Sequence, residues 1–331
     1  MVYSDCNPSR RSDPRLTASV VAWFCASAFL LVLPLFLSEY RLFQIGLIAS
    51  TSLISAGLVI VTGMAGQVSL AQAAFVALGA YGSSLLAQDL GVSQWFGIPL
   101  CALVSAAVGY VLGLVTLRVE GHYLALATMA LTAIVQVVIV HWDSVTGGAL
   151  GLAVAPLTLA GTPITSGAGL FYVVVPVTLI LFALTANLLN SRVGRAMVAL
   201  RQTEVAASTA GINVLHYKAL AFSLSGLFGA TGGGLQALQT TYLDPQSFGI
   251  LESVLSIAII VIGGFRSMAG AVLGSAVFTF VPAMLGAFQS YRGVAFALLL
   301  LATIVLFPGG LANLAKIGVA AVRTRFGWSK P

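Results

Sequence analysis

Charged residues are scarce in this sequence: 7% of its 331 residues are Asp, Glu, Lys or Arg, whereas 59% are apolar. A soluble domain carries about 25% charged residues, so this chain has too few to cover a surface exposed to water. The scarcity excludes an ordinary soluble enzyme, a disordered protein and a nucleic-acid-binding domain. The 35 glycines follow no fixed period, which excludes a collagen-like fibre. The composition predicts an all-α, polytopic transmembrane helical bundle.

Cysteine is also scarce. The three cysteines, Cys6, Cys25 and Cys101, give no disulfide framework, and the last two lie in apolar runs where a thiol behaves as a small hydrophobe. Arginines near the N-terminus precede an uncharged run over 16–38, which is longer than a signal-peptide core and lacks a small-residue cleavage site. We interpret this run as a retained first span. No metal site and no cofactor are predicted.

Charges and prolines divide the rest of the chain into candidate spans of about 20 residues. The uncharged stretch between Arg41 and Asp89 has room for two spans, broken near Gly63 and Gly66. Further spans are predicted over 95–117, 121–140, 170–189 and 219–239, on either side of Gly263 and Gly264, and over 293–307. The total is about ten. Residues 141–169, which contain many Gly, Ser and Thr, are predicted to form a loop.

Basic residues fall almost wholly on one side of this arrangement. With the N-terminus in the cytoplasm, only Arg41 and Arg292 of the 15 lysines and arginines lie on the outer side. Cytoplasmic loops of membrane proteins carry an excess of Lys and Arg, so both termini are expected in the cytoplasm. The predicted organisation is a cytoplasmic tail over 1–16, a membrane domain over 17–307 with a cytoplasmic loop at 192–218, and a second tail over 308–331.

An energy source for transport is absent from the sequence. No G-x-x-x-x-G-K-[ST] loop is present, because none of the three lysines follows a glycine. Ion-coupled carriers usually place carboxylates deep in the bilayer, but the acids here fall at predicted span ends: Glu39, Asp89, Glu120, Asp143, Asp244 and Glu252. The three histidines are interpreted as interfacial, and no catalytic pair shares a membrane depth. The chain is therefore not expected to be an enzyme, and ATP hydrolysis would come from other subunits.

The long cytoplasmic loop is the only internal stretch that combines helix propensity with charge. Glu204 is predicted to begin a short helix, where a carboxylate suits the helix dipole, and Gly211 to end it in a left-handed conformation. Ala206, Ala207 and Ala210 would then share one face, which would fit the groove of another protein. An amphipathic loop on the membrane surface is the alternative.

The same segment carries a family resemblance. Val205-Ala206-Ala207-Ser-Thr-Ala-Gly211 resembles the Glu-Ala-Ala-x-x-x-Gly motif with which ABC importer permeases dock on their ATPase subunit, with the acid displaced to Glu204. The Ile-x-Leu-Pro that continues the general motif is absent. The longer pattern from Arg201 through Gly211-Ile-Asn-Val, followed by Tyr217-Lys218, resembles the branched-chain amino acid permeases of the LivH/LivM type.

Four other segments resemble the same family in the same order, so that the likeness covers about 40–307: 66–81, 121–128, 146–148 and 262–270. The extended N-terminus and the Tyr217-Lys218 pair favour a LivM-like member. The resemblance implies a bacterial inner-membrane complex with a second permease subunit, two ABC ATPase subunits docked on the loop that includes Arg201, and a periplasmic or lipid-anchored substrate-binding protein. It implies transport of Leu, Ile and Val, with urea, amides or aromatic acids as alternatives.

A short repeat indicates where a transport path could lie. Gly66-x-x-Ser69-Leu-Ala recurs as Gly264-x-x-Ser267-Met-Ala, and glycine interruptions at matching places in two halves point to broken helices beside a path. Freed N–H groups there could meet a substrate carboxylate. The polar candidates for the path are Gln67, Ser69, Gln72 and Ser267. In a regular helix Leu70 would point about 100° away from Ser69. Close helix packing through small residues is the alternative explanation of the repeat.

A different class of function is also open. The polytopic composition alone would fit a self-sufficient secondary transporter or a channel. The missing nucleotide site and the Ala/Gly loop favour the subunit of an ABC importer. The genes beside this one would distinguish the two, since an importer needs ATPase subunits and a binding protein.

Overall fold

The structure is a computed structural model that describes residues 34, 36–115, 122–159, 162–284 and 310–311. Residues 16–33 of the predicted first span, the whole predicted span over 293–307 and Glu120 lie outside the described residues. The two predicted tails also lie outside them, apart from residues 310–311.

Helices account for most of the described chain. The first long helix, α1 (Glu39–Leu58), continues into a π-helical turn (Val59–Met64). The helices that follow are α2 (Gln72–Asp89), α3 (Gln94–Val115), α4 (His122–His141), α5 (Asp143–Thr146), α6 (Gly167–Asn190), α7 (Arg192–Gln202), α8 (Glu204–Thr209), α9 (Val214–Thr240), α10 (Ile250–Gly263) and α11 (Met268–Met284). Two short 3₁₀ turns lie at Gly148–Leu150 and Pro245–Phe248.

Two small antiparallel strand pairs lie at one end of the helices. Strand β1 (Leu152–Ala153) pairs with β4 (Tyr242–Leu243), so that Leu152 faces Leu243. Strand β2 (Leu157–Leu159) pairs with β3 (Thr162–Ile164). The stretch predicted as a loop over 141–169 therefore contains short local structure between α4 and α6.

Within the described part of the chain, four helical segments are long and apolar enough to cross a membrane: Glu39–Met64, Gln94–Val115, Tyr123–His141 and Gly167–Asn190. Helices α10 and α11 meet at an angle of 115°. At 14 residues, α10 is about 21 Å long, which is shorter than the bilayer core of about 30 Å. The pair is thus one broken span or a re-entrant loop, where the sequence predicted two separate spans. The polytopic helical fold class is confirmed, and the count of ten stays a prediction.

Helix α9 is the centre of the bundle. Its 27 residues contact α1, α2 and α3, and its glycines and alanines let the backbones approach closely. A Cβ at Gly79 of α2 would overlap the carbonyl of Ala230, and a Cβ at Gly233 would overlap that of Val76. Small residues lower the hydropathy of α9, but other helices surround it, so it does not need a lipid-facing apolar surface.

Side-chain caps fix the starts of three helices. Ser166 accepts a hydrogen bond from the Gly169 N–H and starts α6, and Ser191 accepts one from the Val193 N–H and starts α7. The Asn213 side chain accepts from the His216 N–H at 3.1 Å and starts α9. Such caps satisfy backbone donors that have no partner inside a helix. Within the charged stretch, Ser191 sets the start of α7 and Asn213 the start of α9, whereas Thr203 before α8 makes no side-chain cap.

Candidate functional site

Helices α7 and α8 form the charged pair that the sequence singled out. Helix α7 buries Ala196, Met197 and Leu200 and exposes Arg192 and Arg195, as expected of an amphipathic helix. Thr203, in an extended conformation, separates the two helices. Glu204 is the first residue of α8.

Helix α8 ends in the left-handed turn that Gly211 provides. Gly211 has φ +78°, and its N–H donates to the Ser208 carbonyl at 3.0 Å, while the Ile212 N–H donates to the Ala207 carbonyl at 3.0 Å. These bonds satisfy carbonyls at the helix end. Apart from its chain neighbours, no atom of the described residues lies within 4 Å of the position that a Cβ at Gly211 would take, so its backbone conformation favours glycine here.

The expected face of three alanines is divided in the structure. Ala207 is 3% exposed and packs against the protein's own helices, whereas Ala206 and Ala210 are exposed. Val205 is 77% exposed. The prediction that Ala207 belongs to an open face is wrong, because the inner side of α8 needs a small residue too. The exposed residues of α8 and its C-cap are Val205, Ala206, Ser208, Thr209 and Ala210.

Polar bonds join this helix pair to the end of α1. Arg201 Nη1 donates to the Gly63 carbonyl, and Gln67 Nε2 donates to Glu204 Oε1 at 3.4 Å. Lys218 Nζ lies 2.7 Å from the Glu204 carboxylate. We call this set of five residues the junction cluster. It connects the α7–α8 pair to the interruption between α1 and α2.

The two oppositely charged side chains of the junction cluster differ in how far they are exposed to solvent. The Lys218 side chain is 4% exposed and that of Glu204 is 42% exposed, so the cation is the buried member of the pair. Partial burial and the nearby charge of Arg266 lower the pKa of the Arg201 guanidinium from its ordinary value. Arg266 belongs to the turn between α10 and α11, so Arg201 lies near both helix interruptions.

The two interruptions lie against each other. Gly66 has φ +73° and Gly264 has φ +114°. A Cβ at Gly63 would overlap the Phe265 carbonyl, so glycine permits the end of α1 to contact the turn between α10 and α11. A Cβ at Gly263 would overlap the Gly270 carbonyl, which packs α11 tightly on α10.

The two halves are also joined in matching ways. Ser55 and Ser253 each precede the interrupting glycine by the same number of residues, and each bonds the other half. The hydroxyls of Ser55 and Ser275 of α11 lie 3.4 Å apart. Ser253 Oγ accepts from the Ala73 N–H of α2 at 3.0 Å. Both bonds join the helices around the first interruption to those around the second.

Between the π-helical turn and α2 the backbone over 65–71 is not helical, and α4 supplies partners for its Leu70. The Leu70 N–H donates to Thr128 Oγ1 at 3.0 Å, and Thr132 Oγ1 donates to the Leu70 carbonyl at 2.7 Å. In a membrane such backbone groups must be satisfied within the protein. Thr128 and Thr132 were not predicted as site residues; their spacing of four residues on one face of an apolar helix is the signal that could have indicated them.

The path candidates occupy different environments. Gln72 is fully buried: its Nε2 donates to the Ile54 carbonyl at 2.7 Å and its Oε1 accepts from Ser225 Oγ at 2.8 Å. Ser69 is buried and accepts from the Ala71 N–H at 3.3 Å. Both bond within the bundle, as helix packing requires. Ser69 and Leu70 precede α2, so the regular helix geometry assumed for them does not apply.

The other two candidates lie at the interruptions. Gln67 is a member of the junction cluster. The Ser267 N–H donates to the Gly264 carbonyl at 3.2 Å, and its own carbonyl accepts from the Ala271 N–H at 3.2 Å, so it directly precedes α11 and accepts a hydrogen bond from it. The four residues proposed for the path are therefore not brought together in one cavity.

Thr128→Val is expected to destabilise the protein by about 1–2 kcal/mol, because the Leu70 N–H would lose its partner in a partly buried position. The measurement is the midpoint of thermal unfolding of the purified protein in detergent. Thr62→Val is the matched control: the Thr62 hydroxyl is buried and has no hydrogen-bond partner among the described residues, so its removal should be neutral or stabilising. Equal loss in both variants would contradict the role given to Thr128.

No group of three or more His, Cys, Asp or Glu side chains that could hold a metal ion occurs among the described residues. The apolar helices are those of a membrane protein, and the charged helix pair is bonded to an interrupted helix. The chain belongs to the family of permease components of branched-chain amino acid transport systems, because the family model matches residues 40–307.

Individual relatives agree with this assignment. The high-affinity branched-chain amino acid transport permease protein LivM of Salmonella typhimurium is 30% identical over 284 residues, which cover 78% of this chain and 67% of the relative. LivM of Escherichia coli is 28% identical over 284 residues, which cover 78% of this chain and 67% of that relative. A probable branched-chain amino acid transport permease protein LivH of Methanocaldococcus jannaschii is 23% identical over 74% of this chain and 82% of its own length. No solved structure matches the chain.

Proposed function

We propose that this chain is the membrane permease subunit of an ABC importer for branched-chain amino acids. Leucine, isoleucine and valine would cross through the bundle, and ATP hydrolysis would take place in two separate ATPase subunits. A second permease and a periplasmic or lipid-anchored binding protein would complete the complex. The distribution of Lys and Arg favours an inner-membrane orientation with both termini and the α7–α8 pair in the cytoplasm. LivM-like relatives support the choice of substrate.

The junction cluster is the observation that carries this proposal. The exposed residues Val205 and Ala206 of α8, with Ala210 directly after it, offer a surface to an ATPase, while Glu204 and Arg201 bond the same helix pair to the interruption near Gly63. A displacement of α8 would therefore be transmitted to the junction of α1 and α2. A secondary transporter has no ATPase subunit to bind, so it would not need an exposed surface that is bonded to the helix interruption in this way.

Reconstitution tests the proposal. The chain is co-purified with the permease, ATPase and binding protein encoded beside it, placed in proteoliposomes and supplied with labelled leucine. We expect uptake that requires ATP and the binding protein and is unaffected by collapsing proton and sodium gradients. Uptake by the chain alone along an ion gradient would establish the alternative, a secondary transporter. Uptake of urea, amides or aromatic acids in place of leucine would retain the importer and change its substrate.

Replacing Gly211 is expected to weaken docking. Gly211→Val at φ +78° costs about 1–2 kcal/mol in a left-handed conformation, so the end of α8 should unwind while membrane insertion persists. We expect co-purification of the ATPase and leucine uptake to fall together. Gly211→Asn is the matched control, because asparagine tolerates this conformation and open space surrounds the position. Unchanged uptake in Gly211→Val would remove the docking role from α8.

A further inference from the structure

A cavity of about 260 Å³ lies at the end of α9 far from the junction cluster. Helices α2 and α9, strand β4 with the turn that follows it, the first turn of α10 and Phe278 of α11 form its wall. Apolar side chains, among them Val76, Ala80 and Phe248, supply part of the lining, and Gln236 and Thr240 of α9 supply polar groups. A pocket with apolar walls and a few polar groups is the usual form of a small-molecule site.

Glu252 is the unusual member of this lining. It lies in the first turn of α10 and is partly buried, and its carboxylate has no hydrogen bond or ion pair with any residue that the structure describes. The other acid of the cavity differs: Asp244 is exposed, and its carboxylate accepts from the Gln246 N–H at 3.1 Å and from Ser247 Oγ at 3.4 Å. Asp244 therefore caps a turn, whereas Glu252 is available to a ligand.

The charged residues of the cavity favour a ligand that carries a positive charge. None of the described residues that line it is Lys, Arg or His, so an anion that carries no ammonium group would find no charged partner there. A carboxylate withdrawn from water without a partner is unfavourable unless a cation pairs with it. An ammonium group beside Glu252, with an aliphatic chain against Val76 and Phe248, would satisfy both the charge and the apolar walls.

We propose that this cavity binds an aliphatic ammonium compound, such as a branched-chain amino acid, with Glu252 as the partner of its ammonium group. The inference rests on the proposed transport function and names a contact of the substrate at the end of the bundle opposite the α7–α8 pair. It departs from the path predicted by sequence, because Ser69 and Gln72 bond within the bundle instead of lining this cavity.

The test is ligand protection of a cysteine in the cavity. Ser247 lines the cavity and is exposed, so Ser247→Cys is introduced into the complete complex after Cys6, Cys25 and Cys101 are replaced by alanine. The rate of reaction with a water-soluble thiol reagent is measured without the binding protein and with leucine, isopentylamine or 4-methylpentanoate in the millimolar range. We expect leucine and isopentylamine to slow labelling at least threefold and 4-methylpentanoate to leave it unchanged.

Glu252→Gln should abolish this protection, and Asp89→Asn, which changes an exposed acid outside the cavity, should preserve it. Assembly with the ATPase subunits, followed by size-exclusion chromatography, shows that each variant is folded; if Glu252→Gln fails to assemble, Glu252→Asp should retain weaker protection. Equal protection by 4-methylpentanoate, protection that survives in Glu252→Gln, or no protection by any compound would overturn the inference. Failure of the proposed function would instead appear as absence of ATP-driven leucine uptake by the unsubstituted complex.

Discussion

Replacing Glu204 by glutamine is expected to destabilise the protein by about 1–3 kcal/mol and to abolish leucine uptake. Lys218 is 3% exposed, so its ammonium would be left buried without an anion, which costs more than the lost attraction itself. Lys218→Met should be milder, because the Glu204 side chain is 42% exposed and water can solvate its carboxylate. Thermal unfolding in detergent and uptake in proteoliposomes measure the two effects.

A double variant is the control for the difference in stability expected between Glu204→Gln and Lys218→Met. Glu204→Gln combined with Lys218→Met removes the buried charge together with its partner, so its unfolding midpoint should return close to that of Lys218→Met alone. Uptake should stay low in the double variant, because Glu204 also bonds Gln67 and holds α8 to the end of α1. Strictly additive losses of stability would show that the two residues do not interact.

Gly79→Val is expected to prevent assembly of the bundle. The added side chain would overlap the backbone of Ala230, which no change of rotamer can relieve, so α2 and α9 would have to separate. Overpacking of a core costs about 1–3 kcal/mol where side chains can adjust, and here a backbone must move. We expect little folded protein after membrane extraction, measured by size-exclusion chromatography of a fluorescent fusion.

Gly97→Ala is the matched control for this variant. Gly97 is also a buried helical glycine, but the nearest atom to an added Cβ is the Ser83 carbonyl oxygen at 3.5 Å, an ordinary contact. Yield and unfolding midpoint should therefore stay near those of the unchanged protein. A folded Gly79→Val protein with an unchanged midpoint would contradict the close contact between α2 and α9.

Features set by short stretches of chain could be predicted from sequence. The apolar composition predicts the helical membrane fold, and glycines with positive φ stand at the interruption near Gly66 and after α8 at Gly211. In both places the requirement is local, since glycine adopts φ > 0 more readily than other residues. The placement of Glu204 at the start of α8 follows from the helix dipole in the same way.

Features set by distant contacts could not be predicted. Gln72 is polar and was expected to face a path, but its partner Ser225 lies 153 residues away, and no local pattern indicates that bond. Ala207 was placed on a free face because helix periodicity gives the residues that share a face, but not which face other helices cover. Glu252 was predicted only to lie at a span end, and no local pattern indicates the cavity beside it, which residues of several separate helices form.

Cross-linking from α8 tests the central claim most directly, namely that an ATPase subunit binds the α7–α8 pair. A photoreactive amino acid is placed at Val205, which is 77% exposed, and in a separate variant at Tyr242, which is 52% exposed at the opposite end of α9. The account predicts that Val205 cross-links a subunit with a nucleotide-binding loop, identified by mass spectrometry, and that Tyr242 does not. A cross-link to that subunit from Tyr242, or none from Val205 in a complex that transports leucine, would contradict it.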